Sequence, residues 1–151
     1  MASNRHDIDV LNDLIEVTLD SAHGYDEATK DVKNPRFKTL FGARSIERKQ
    51  VTAELQTEVR RLLGGKPEVS GTMMGKAHRT FLNLKSSLFG DDQTVVDAVE
   101  SGEDRIKAKY ERAFADQELS APVRDLVSRA YISVREGHDQ MRDLKHHMHA
   151  G

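Results

Sequence analysis

Residues 91–116 read DDQTVVDAVESGEDRIKAKYERAFAD, and their apolar positions Val96, Val99, Ile106, Tyr110 and Ala113 fall on one helical period. Steps of three and four trace a single face of an α-helix. Glu103 lies on that same face, where the period asks for an apolar side chain. An ionised carboxylate in a packed seam is costly unless a counter-ion, a metal or a hydrogen-bond donor meets it. The stretch thus decides the fold class and poses the functional question together: a long packed helix carries one buried charge that must have a partner.

The rest of the chain follows the same period. Ile8, Leu11, Ile15, Thr18, Ala22 and Tyr25 form the seam of a first helix, expected over 7–33, with Asp7 as its cap and Asn34-Pro35 as its stop. A second helix opens at Pro35 and carries Phe37, Phe41, Arg44, Arg48, Val51, Leu55 and Leu62 to the Gly64-Gly65 stop, its seam interrupted by two arginines. A shorter helix is expected from Thr72 to Leu88, with Met74, His78, Phe81 and Leu88 on one face. Gly90-Asp91-Asp92 closes it and offers a cap to the quoted segment. The last helix begins at Ser120-Ala121-Pro122 and has the most regular seam: Val123, Val127, Ala130, Val134, Gly137, Met141, Leu144 and Met148. No stretch alternates at period two with β-branched residues, so the chain is expected to be all-α.

Composition narrows the class. A chain of 151 residues suits one domain, taken as 1–151. Its 23 basic against 25 acidic residues are interleaved, giving a net charge of −2 and no basic footprint for a nucleic acid. With no cysteine, there is neither a disulfide nor a thiolate site, in keeping with a cytoplasmic protein. The start MASNRHDIDV lacks the basic and apolar regions of a signal peptide, and no run is long enough to span a membrane.

Four helices of about 25 residues would each be roughly 38 Å long, which suits an elongated bundle. Short connections at 33–35 and 117–120 make two antiparallel hairpins, and the long connection over 64–91, with its own short helix, joins them. Two hairpins and one long crossover is the ferritin-like arrangement. In it the second helix and the quoted one run parallel, which puts Arg48 and Glu103 at one height, with Thr18, Asp20 and the Val134–His138 stretch near the same level. Two readings of that layer compete. In one, Glu103 pairs with Arg48 or Arg44 in a buried network that fixes helix register. In the other, Glu103, Glu54, Glu47, Asp20 and His138 supply ligands for iron, manganese or zinc. Di-iron bundles draw on Glu-x-x-His pairs, and this chain has none. Arginine in the layer would also repel a dication, so the network reading is preferred.

Lesser features have simpler accounts. His78-Arg79 reads as a core-edge pair, and Gly71 and Gly75 permit close helix contact without the Lys-Ser/Thr signature of a phosphate loop. His146, His147 and His149 suit the negative end of a helix dipole. His23 and Glu27, four apart, are spaced to share a metal on the first helix, but the commoner reading of such a pair is an exposed polar one. No serine or lysine is placed beside a base for covalent catalysis, so no catalytic residue is assigned.

Leu11-Asn12-Asp13-Leu14-Ile15 with Asp20 and Gly24-Tyr25, Glu54-Leu55, Gly71 to Gly75 with His78-Arg79 and Lys85, Gly102-Glu103-Asp104 with Tyr110, and His138-Asp139 form a pattern. It resembles a bacterial family of uncharacterised ferritin-like four-helix-bundle proteins over about residues 7–145. Phe81 stands near where that family often has tryptophan, which keeps a packing role. The resemblance implies the ferritin-like fold and a bacterial source, and it brings no established activity. The expected function is a structural, stress-related or partner-binding bundle acting through a protein partner or as a homodimer, without nucleic acid or membrane. The alternative is a di-iron, manganese or zinc protein of metal handling or oxidation.

Overall fold

The computed structural model describes residues 2–62, 65–69 and 92–150, and it is all-α, with no strand among them. Its helices are α1 (Ala2–Asp31), α2 (Pro35–Arg61), α3 (Asp92–Phe114) and α4 (Ala121–Ala150). No described helix is long and apolar enough to cross a membrane. The expected short helix at 72–88 lies outside the described residues, together with Gly71, Gly75, His78, Arg79, Phe81 and Lys85.

Boundaries follow local chemistry. Asn34 caps α2 by accepting the Arg36 amide at 2.9 Å, with Pro35 in the first turn. The α4 start is as expected, the Ser120 carbonyl accepting from the Arg124 amide at 2.9 Å. Two assignments change. α1 begins at Ala2 rather than Asp7, and α2 ends at Arg61 with Leu62 as its C-cap, short of the glycine pair. Asp7 is instead buried against the far hairpin, where its Oδ1 accepts the Ser120 amide at 3.0 Å. Asp92 likewise reaches across, accepting the Lys33 and Asn34 amides at 2.8 and 3.0 Å. These side chains close the orphan amides of one hairpin's turn from the other hairpin.

The same contacts set direction. The start of α1 lies beside the α3–α4 turn and its end beside the start of α3, so α1 and α3 are antiparallel and α2 runs parallel to α3. Asn12 holds the stretch after α2, its Nδ2 donating to the Lys66 carbonyl and its Oδ1 accepting the Glu68 amide. The exit of α2 and the entry of α3 therefore lie at opposite ends of the bundle.

The core comes in two halves. One gathers Leu11, Leu14, Ile15, Val51, Leu55, Val59, Ile106, Tyr110, Val123, Val127 and Val134. The other gathers Tyr25, Ala28, Val32, Phe41, Val96, Val99 and Met141. Between Ile15 and Tyr25, Phe41 and Val51, Val99 and Ile106, and Val134 and Met141, every helix contributes to a polar layer: Thr18, Ser45 and Arg48, Glu103, and Gly137. At its edge Thr18 Oγ1 donates to the Leu14 carbonyl at 2.6 Å, so Tyr110 must be the donor in the 2.7 Å contact between the two hydroxyls. Burial pushes the Tyr110 phenol up to about 12, which keeps that proton in place.

Candidate functional site: the charged layer at mid-bundle

Arg48 and Glu103 face each other across α2 and α3 as the common height predicts. Nη1 donates to Oε1 at 2.7 Å and Nη2 to Oε2 at 2.8 Å, a two-pronged pair whose side chains are 0% and 1% exposed. Nη1 also donates to Ser21 Oγ at 2.7 Å, and the guanidinium lies 5.7 Å from the centre of the Tyr25 ring, a cation–π contact. Arg48 Nε has no hydrogen-bond partner among the described residues. Burial alone would push the guanidinium down, and the charge and hydrogen bonds of Glu103 more than offset that, leaving it raised. The Tyr25 phenol is held well above its usual range by burial and then by the Glu103 charge.

Gly137 makes this geometry possible. A Cβ there would fall inside contact distance of Arg48 Nη2 and 2.9 Å from Glu103 Oε2. α4 therefore passes over the ion pair with backbone where a side chain would collide. Beside it, Arg44 stays at the rim, donating to Glu47 Oε1 at 2.5 Å and to Gln140 Oε1 at 2.9 Å. Ser45 donates to Asp26 Oδ1 at 2.5 Å on the α1 side.

The candidate ligands go to separate places. Glu103 is engaged by Arg48, and Glu47 by Arg44. Glu54 is exposed on α2, and Asp20 is half-buried on α1. His138, on α4, contacts Asp104 Oδ1 through Nε2 at 2.6 Å and Asp139 Oδ1 through Nδ1 at 3.2 Å. Glu27 is buried rather than exposed, beside the core residue Ala28, and meets Lys30 at 3.5 Å, while His23 is half-buried; His146 and His147 are exposed. Ser21 and Gln140 carry no signal of their own in the sequence, because each is an ordinary polar residue off the seam, and Asp104 stands there only beside Glu103, with no role attached. Height, level with Arg48, Arg44 and His138, was the one clue that could have found them.

A second polar cluster closes one end of the bundle. His6 Nε2 lies 2.7 Å from Asp116 Oδ2 and 3.8 Å from Glu118 Oε2, tying the first turns of α1 to the α3–α4 turn. The hydrogen bond to Asp116 raises the His6 pKa against a smaller opposing effect of burial. Asp116 is lowered, first by the Glu118 amide and then by His6. A raised histidine contributes fully below its unfolded value and loses that contribution as pH rises through its folded value; a lowered aspartate contributes above its unfolded value and loses it as pH falls. Taking ordinary values of about 3.9 and 6.5, the clamp is strongest between them. Hydrogen-exchange protection of the first turns of α1 is expected to be higher at about pH 5.5 than at about pH 8, and His6→Gln should abolish the difference.

Among known families, one described as a domain of unknown function (DUF2383) matches residues 6–116, from α1 to just past α3, taking in Arg48 and Glu103. No curated protein matches the chain.

Proposed function

Since this chain belongs to the DUF2383 family, whose description assigns no activity, we propose from its own residues that it is a ferritin-like bacterial bundle with a structural, partner-binding role. Its charged layer fixes how the four helices stand against one another. The observation that carries this is the identity of the cation facing Glu103: it is Arg48, held by two parallel hydrogen bonds in a buried layer.

A metal pair in that layer would need Glu103 to turn away, leaving a guanidinium buried without its counter-ion, a change that costs about 3–5 kcal/mol. Glu47 is engaged elsewhere and Glu54 is exposed, so these residues do not fit a metal pair. The parallel course of α2 and α3 supports the ferritin-like connection, which needs the chain to return along the bundle between them. For a partner or a second copy, the surface offers Phe114 stacked on Tyr131 at 6.4 Å beside the exposed Ile132. For the metal-binding alternative, His138 is the candidate we favour, because its imidazole meets two carboxylates, whereas Glu103 and Glu47 are engaged by arginines.

Elemental analysis of untagged protein tests this function, comparing wild type with Glu103→Gln, which keeps the side-chain shape. Iron and manganese are expected to be independent of Glu103. Stoichiometric iron or manganese that disappears in Glu103→Gln would overturn the structural assignment.

A further inference from the structure

His138 stands 12% exposed on α4 between two carboxylates. Asp139 Oδ1 is 3.2 Å from Nδ1, and Asp104 Oδ1, from α3, is 2.6 Å from Nε2. A neutral imidazole has one N–H and one lone pair, so it can serve only one of these acceptors. With Nδ1–H turned to Asp139, the Nε2 lone pair faces a carboxylate oxygen, a contact reconciled by a positive centre between the two, either a second ring proton or, once Asp104 draws back, a bound metal ion. Glu100, one turn before Asp104, is 12% exposed and brings a third ligand atom; the ligand atoms of Glu100, Asp104 and His138 all lie within 4.8 Å of one another.

We propose that Glu100, Asp104 and His138 form a binding site for a borderline divalent cation of the zinc class, on the α3–α4 hairpin and separate from the buried Arg48–Glu103 pair. One imidazole nitrogen and two carboxylates leave a fourth position to water, an arrangement such ions accept. Asp139 supplies the outer partner that fixes the ring and its tautomer, as carboxylates do for metal-bound histidines. Tetrahedral ligands at about 2 Å from the ion sit about 3.3 Å apart, so Asp104 must draw back slightly from His138. Its side chain is 59% exposed and has room to do so.

The surrounding charges are mixed. Lys145 Nζ sits 3.1 Å from Glu100 Oε1 and is the cation an incoming ion displaces; at 36% exposed, it can swing into water. Arg142 meets Asp139 at 3.5 Å and Asp143 at 3.2 Å, on the outer side of the ring. Asp97 lies near Lys145 and adds to the negative field. His6, Asp116 and Glu118 form a similar triad, but their side chains are 34%, 24% and 82% exposed, a looser set that is already engaged as a clamp.

The test is a zinc titration of the full chain followed on the ring nitrogens of its seven histidines by NMR, with the His138 signals assigned through His138→Gln. One equivalent of Zn2+ is expected to shift His138 Nε2. Asp104→Asn should remove that shift, and Asp139→Asn should weaken binding by about 10-fold or more. Lys145→Met is expected to tighten binding severalfold, a gain that a misfolded variant would not give. Zinc that shifts only His6 or the C-terminal histidines, or a Lys145→Met variant that binds no tighter, would overturn the site. Glu103→Gln should leave the His138 response intact, so failure here is distinguishable from failure of the structural role proposed for the buried layer.

Discussion

Glu103→Ala is expected to lower the stability of the fold by about 3–5 kcal/mol, read as a drop in urea midpoint at unchanged slope. The loss comes from what remains rather than from what is removed. Arg48 is fully buried, its Nε already has no partner among the described residues, and only Ser21 and the Tyr25 face would still hold its charge. Replacing both partners by apolar residues of similar volume, Glu103→Leu with Arg48→Met, removes the stranded charge and joins the two core halves. That double variant should unfold within about 1 kcal/mol of wild type, since a buried ion pair offers little net stability over hydrophobic packing. Equal damage in the single and double variants would show that the layer does not act as a charge pair.

The second large effect has an unusual sign. Gly→Ala inside an exposed helix stabilises by roughly 1 kcal/mol. Gly42→Ala and Gly102→Ala should follow that rule, because nothing lies within 4 Å of a Cβ at either position. Gly137→Ala should instead destabilise. Its Cβ meets Arg48 Nη2 and lies 2.9 Å from Glu103 Oε2, both locked in a two-pronged pair with no solvent to move into. Overpacking of this kind costs about 1–3 kcal/mol, enough to outweigh the helix gain. Thermal or urea unfolding of the three alanine variants measures the contrast, and a stabilised Gly137→Ala would mean that the pair can yield.

The helices and the height of the layer were legible because both follow from spacing. Glu103 stood out as the acid in an apolar seam, and helix lengths placed Arg48 level with it. The choice between Arg44 and Arg48 was not legible. They are four apart on one face of α2, and what separates them is how α4 crosses: Gly137 leaves room over the Arg48 guanidinium, while Gln140 holds Arg44 by its Nε. Asp7 shows the opposite failure. Its position suited a helix cap, but its acceptor serves the Ser120 amide, a relation across 113 residues that no local pattern carries. Glu54 lies on the exposed face of α2, one residue before the buried Leu55, so the helical period itself argues against its reaching a central site.

The division of charge between the two hairpins bears on assembly. Each half of the bundle carries one member of the pair, arginine on α2 and glutamate on α3. An α1–α2 hairpin docking onto a second α1–α2 hairpin would bring guanidinium against guanidinium, and two α3–α4 hairpins would bring carboxylate against carboxylate. Leucines and valines alone would permit either mistake. Unlike hairpins are therefore expected to pair in preference to like ones, and a preference that vanishes in the Glu103→Leu, Arg48→Met variant would trace that choice to the buried charges.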